Sequence, residues 1–123
     1  MYTEIYVNVD LREDTPDEVI AVLKAICGGE DETPLEGKPS RWCMLFNSGS
    51  YYTPNTSCNS LTYDKIGRCW SLLGKGDIKN YEGEIEAFFE WLMPHIDAED
   101  GEFIGYSRYE ESDEPTIIYW SNE

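Results

Sequence analysis

The chain has 123 residues, 41% hydrophobic and 14% aromatic, enough for one domain with a real core and too apolar for a disordered segment. Twenty-five acids against nine bases leave a formal charge of −16, a field that repels nucleic acid and anionic membranes and draws basic partners. The longest apolar run, residues 42–46, falls far short of the roughly 18 residues of a membrane span, and the first residues lack a basic-then-apolar leader pattern, so a cytoplasmic protein is expected.

Residues 3–11 alternate. Ile5, Val7, Val9 and Leu11 face one way and Glu4, Tyr6, Asn8 and Asp10 the other, as in a half-buried strand. Thr15-Pro16-Asp17-Glu18 then starts a helix, with Thr15 as N-cap, Pro16 at the first helical position and Glu18 closing a capping box. Val19, Val22, Leu23 and Ile26 form its apolar stripe, and Gly28-Gly29 ends it. Residues 29–40, with two prolines and two glycines, form a connection too short to separate two cores. Residues 41–46 are apolar without alternation, the pattern of a central strand covered on both sides. A polar loop follows at 47–57, carrying Tyr51 and Tyr52. Residues 58–63 and 68–73 read as two strands joined by the turn Asp64-Lys65-Ile66-Gly67, and Gly74-Lys75-Gly76-Asp77 as a loop.

The most regular stretch is 79–96. Ile85, Phe88, Phe89, Leu92 and Ile96 recur at helical spacing, while Glu82, Glu84, Glu86 and Glu90 fall off that face. Asn80 is the expected N-cap, and Pro94 bends or ends the helix. Glu84, Trp91 and His95 share one flank beside the stripe. After an acidic turn at 97–102, residues 103–109 and 116–120 form a hairpin with a long acidic tip. The expected fold class is α+β in the order β-α-β-β-β-α-β-β. It comprises a single domain, with a mixed, mainly antiparallel sheet of five to six strands and both helices on one face; a ferredoxin-like arrangement with extra strands is one way to draw it.

Nothing in the sequence marks an enzyme. His95 is the only histidine, and no nucleophile motif accompanies it. The four cysteines, Cys27, Cys43, Cys58 and Cys69, form no CxxC and read as reduced, mostly buried small hydrophobes; a disulfide pair is the alternative. The acids all sit in patterns that look solvated, which leaves no desolvated partner for acid–base work. In the acidic turn the glycine stands one position early for an EF-hand, and the twelfth position is Arg108. The Gly-Lys-Gly-Asp segment lacks the length and hydroxyl of a phosphate loop. No metal and no cofactor are expected.

The charge is lopsided. From residue 82 onward there are 13 acids and one base, Arg108, a net of −12; the first 81 residues hold 12 acids and eight bases, a net of −4. One reading is solubility alone. The other is a partner-binding surface for a basic protein, built from Glu110, Glu111, Asp113, Glu114, Tyr106, Arg108 and Tyr109 together with Asp97, Glu99 and Asp100, since Tyr and Trp beside Arg carry interface energy. A different class of function is a small-ligand or peptide module with Tyr51, Tyr52, Tyr81 and Arg108 around an aromatic cleft.

At Ser50-Tyr51-Tyr52, at residues 79–86, at residues 105–111 and at Glu114-Pro115-Thr116-Ile117, the chain resembles a group of small acidic proteins of bacteriophages and bacteria, many actinobacterial, for which no activity is known. The likeness covers most of the chain from Thr3 onward, and the four cysteines depart from the group's pattern. It implies a context, a phage or mobile-element accessory protein. Accessory proteins of that size and charge are often antagonists of host defence, some by imitating nucleic acid. The resemblance therefore implies an expected role as an inhibitor of a host (defence) nucleic-acid-binding protein, acting through the negative surface.

Overall fold

The structure, a computed structural model, describes residues 2–28, 33–47, 57–80 and 82–121. Its strands are β1 (Thr3–Asp10), β2 (Cys58–Asp64), β3 (Cys69–Ile78), β4 (Phe103–Tyr109) and β5 (Thr116–Tyr119), and its helices are α1 (Asp17–Ile26) and α2 (Glu84–Leu92). Three short 3-10 turns cover Thr33–Leu35, Ser40–Met44 and Met93–His95.

The five strands form one sheet in the order β2-β3-β1-β4-β5, and every neighbouring pair is antiparallel. The sheet is therefore not mixed. The parallel relations, β1 with β2 and β3 with β4, each skip one strand. This is how two βα crossovers fit into an antiparallel sheet, and it is the ferredoxin-like β-α-β-β-α-β connectivity. β5 is added to the β4 edge by the expected hairpin.

Both helices cover one face. Val7 pairs with Gly74 on β3 and Gly105 on β4. A Cβ on Gly74 would stand 2.5 Å from the Phe46 ring, and one on Gly105 would stand 3.1 Å from the Phe89 ring. Phe46 and α2 thus lie on Val7's side. Ile5, Val7, Val9 and Leu11 are buried there, against Val19, Val22, Leu23 and Ile26 of α1 and Ile85, Phe88, Phe89 and Leu92 of α2.

Two expectations fail together here. Residues 41–46 are no strand: Ser40–Met44 is a 3-10 turn from which Trp42, Leu45 and Phe46 point inward and are buried. Their i, i+3, i+4 spacing is helical, and a six-residue run is too short to tell that from a strand buried on both sides. Nor are residues 74–77 a loop. They are the C-terminal half of β3, paired with β1 throughout. The glycines are there because the turn sits on the strand: Gly74 accepts the Phe46 ring, and a Cβ on Gly76 would collide with the Leu45 carbonyl oxygen.

The helix ends also differ from the sequence pattern. No side chain caps α1; the Thr15 hydroxyl donates backward to the Arg12 carbonyl at 2.6 Å, so the capping box does not form. α2 starts at Glu84 rather than near 80, behind Gly83 at φ 74°. Asn80 still caps it from a distance, its Oδ1 accepting the Ile85 N–H at 2.9 Å. Three acids that look solvated in the sequence, Glu4, Asp77 and Glu84, are buried, at 4%, 1% and 1% exposed.

Candidate functional site

The face of the sheet opposite the helices is exposed toward the β4–β5 edge, at Phe103, Ile117 and Tyr119, and closed over Glu4 and its β3 partner Asp77, which are 4% and 1% exposed. Alternation delivers Glu4, Tyr6 and Asn8 of β1 to this face, with Tyr106 and Arg108 of β4 directly across from Tyr6 and Glu4. By the same alternation Ile117 of β5 reaches it opposite Tyr106, and Tyr119 opposite Phe103.

Phe103 reaches this face through a bulge. The β4–β5 register shifts between Phe103 and Gly105, so Ile104 and Gly105 together oppose Ile118. Ile104 and Gly105 are both buried on the helix side, and Phe103 returns to the face of Tyr106. The result is a row of three nearly parallel rings. Tyr6 lies 5.4 Å from Tyr106 and 6.4 Å from Phe103 between ring centres, with interplanar angles of 17° for both pairs. Phe103, Tyr119 and Ile117 remain 48%, 55% and 38% exposed beside them. Grouped aromatic exposure of this kind marks interaction surfaces more often than single exposed hydrophobics do.

The row is anchored from below. Tyr106 donates its hydroxyl to the buried Glu4 carboxylate. Burial first, then that hydrogen bond and the Glu4 charge, push the phenol up from 10.0 to about 12. The fold favours the protonated phenol, so this contribution to stability is fully present below the ordinary tyrosine range and is lost as pH rises through about 12. Near-ultraviolet absorbance titration of the wild type and Tyr106→Phe should show that the substitution removes a phenol that ionises well above the ordinary tyrosine value. A difference curve centred on the ordinary value would show that the Glu4 contact is not made.

Acids stand at both ends of β4. Before it, Asp97, Glu99, Asp100 and Glu102 are exposed in a turn tied to β5 and β1: Gly101 N–H donates to the Trp120 carbonyl, Trp120 N–H to the Glu102 carbonyl, and Asp97 N–H to the Asp10 carbonyl. Asp10, Glu13 and Asp64 gather at the same end, where, with Asp97 and after burial, they raise the Cys69 thiol. After β4, Glu111, Asp113 and Glu114 are exposed, while Glu110 is half-buried and accepts the Tyr2 N–H at 2.6 Å. Seven residues of strand separate the two groups, roughly 20 Å at about 3.3 Å per residue. The ten expected partner-binding residues are therefore not one patch. They form two acidic ends with Tyr106 and Arg108 between them.

Other placements differ from the expectation. Tyr109 pairs with Thr3 and points to the opposite side, lining a small polar cleft with Asn80 and Glu86. Arg108 is half-buried and donates Nε–H to the Ser112 carbonyl at 3.3 Å. Tyr51, Tyr52 and Tyr81 lie outside the described residues, so Arg108 alone represents the aromatic cleft. Cys58 is exposed and Cys27, Cys43 and Cys69 are only half-buried, so none of the four cysteines is a fully buried core residue. Sequence reasoning missed Tyr6, whose place on the polar side of an alternating strand was a usable signal. It also missed Phe103, for which no signal existed without the bulge. No cluster of three His, Cys, Asp or Glu suited to a metal ion occurs among the described residues, and no helix is long and apolar enough to cross a membrane. No family model, curated protein or solved structure matches the chain.

Proposed function

We propose that this chain is a non-enzymatic binding protein that occupies a basic protein surface with the open face of its sheet. The supporting observation is the row Phe103–Tyr6–Tyr106, with Tyr119 and Ile117 beside it and carboxylates at both ends. Exposed aromatic rings attract Arg and Lys side chains through the negative faces of their π systems. Carboxylates flanking the rings steer such side chains toward them and set a salt-dependent on-rate. Exposed aromatic rings on a sheet face would equally suit nucleic-acid bases, but the net charge of −16 opposes that polyanion. A protein surface that normally grips nucleic acid offers the complementary chemistry, cations among flat apolar contacts. Such a target fits a phage accessory inhibitor that takes the place of nucleic acid.

The reading separates from plain charge attraction by experiment. Protamine, an arginine-rich polypeptide, serves as the probe in calorimetric titrations at two salt concentrations. Phe103→Ala with Tyr119→Ala should weaken binding by about ten-fold or more, the scale of an interface hot spot, while the salt slope stays the same. Neutralising Glu111, Asp113 and Glu114 should lower the slope. Binding that is insensitive to the ring substitutions but abolished by neutralisation would reduce the protein to a non-specific polyanion and remove the face from the argument.

A further inference from the structure

A second site lies in the helix layer, away from the ring face. A groove of about 660 Å³ opens between α1, the Thr33–Leu35 turn and the Met93–His95 turn, within the ~300–1,000 Å³ range of small-molecule pockets. Its apolar walls include Val19, Val22, Pro34 and Trp91. Val19 and Val22 are core residues, 6% and 5% exposed, so that wall is fixed. Trp91 is fixed as well, its ring centre 5.2 Å from Trp42 and 6.0 Å from Phe88.

The polar groups are what single the groove out. Lys38 Nζ stands 5.6 Å from the Trp91 ring centre, and the His95 ring stands 6.3 Å from it. Glu18 is the single acid among the described lining residues. Arg41 and Arg12 pair with carboxylates, whereas Lys38, like Lys24 over Trp70 and Lys79 over Tyr2, makes no ion pair among the described residues and rests on an aromatic face; of these three lysines Lys38 is the one that lines the groove. A cation held on a tryptophan at the lip of an apolar groove keeps its attraction for an anion, because the ring screens it less than a carboxylate would.

We infer that this groove binds a small amphipathic carboxylate, its flat apolar body between Trp91 and the Val19–Val22 wall and its acid group at Lys38 and His95. This site is independent of the sheet face and of the partner proposed for it. The probe is indole-3-acetate, compared with its uncharged isostere indole-3-acetamide. Binding is followed through the methyl resonances of Val19 and Val22 and the Trp91 indole N–H as each compound is added to the intact protein. The acid should saturate these shifts, and the amide should bind about ten-fold more weakly or worse. Lys38→Met should cost the acid the same factor and leave the amide unchanged. Lys65→Met, in the distant β2–β3 turn, corrects for overall charge and should have no effect. Equal binding of acid and amide to the wild type, equal effects of the two lysine substitutions, or no saturable shift at millimolar acid would each overturn the assignment. The acid-versus-amide comparison needs no variant, so misfolding of Lys38→Met cannot obscure it.

Discussion

Phe88→Ala should destabilise the protein by about 3–5 kcal/mol, the cost of emptying a buried phenylalanine site. That is a large share of the ~5–15 kcal/mol that holds a typical domain. Phe88 is fully buried. It meets Trp42 edge-on at 5.6 Å and Phe46 at 5.7 Å, and lies 6.0 Å from both Phe89 and Trp91. Each such ring pair adds about 0.5–1.5 kcal/mol beyond area burial. The neighbours cannot close the resulting hole cheaply. Phe46 is already seated on Gly74, and Trp42 is held by its indole N–H donating to the Glu84 carbonyl at 3.1 Å. The upper half of the range is therefore expected. Phe89→Ala should fall at the lower end, because Phe89 lies over Gly105 at the sheet side and is slightly exposed. Urea denaturation checks both; an unchanged midpoint for Phe88→Ala would mean that the aromatic stripe of α2 does not form the core.

The sequence carried the elements whose burial is one-sided and regular. β1 was legible because its two faces meet different environments, so apolar and polar residues alternate. The stripe of α2 was legible because one helix face meets the sheet and the other meets water. The β4–β5 hairpin showed through its β-rich arms and acidic connection. What failed had a shared physical cause: two-body packing that leaves no periodic trace. A short apolar run under a helix layer looks the same as a strand or as a 3-10 turn until Phe46 is seen lying on Gly74. Glycines beneath a ring look like loop glycines for the same reason. The candidate site suffered most. Its acids and Arg108 were visible from composition, but the ring row depends on register across three strands and on one extra residue in β4. Burial of Glu4 and Glu84 was invisible because each is accepted by particular partners, Tyr106 and Arg41, that are distant in sequence.

The Glu84–Arg41 contact leads to the second large effect. Arg41 Nη1 stands 2.6 Å from Glu84 Oε1, and the Glu82 N–H donates to Oε2 at 3.2 Å. Burial pushes the Glu84 carboxyl up, but its own amide, the Arg41 guanidinium and the Glu82 amide outweigh that and hold it below its ordinary value. One residue thus ties the Ser40–Met44 turn to the start of α2, by its side chain to Arg41 and by its carbonyl to Trp42. Arg41→Ala would leave a carboxylate that is 1% exposed without its cation, and about 3 kcal/mol should be lost at neutral pH. Glu84→Gln should cost less, because the Arg41 side chain is 29% exposed and can turn to water. The sign with pH follows from the lowered folded value. The stabilisation is present above the ordinary glutamate range and disappears as pH falls through the folded pKa, so the gap between wild type and Arg41→Ala should be widest near neutrality and shrink on acidification. Denaturation of both proteins and of the Arg41→Ala/Glu84→Gln double variant across that interval measures it. A gap that stays constant with pH, or single effects that simply add in the double variant, would show that the two side chains do not act as a pair. In that case the anchoring of α2 must rest on the Trp42 hydrogen bond and the aromatic core alone.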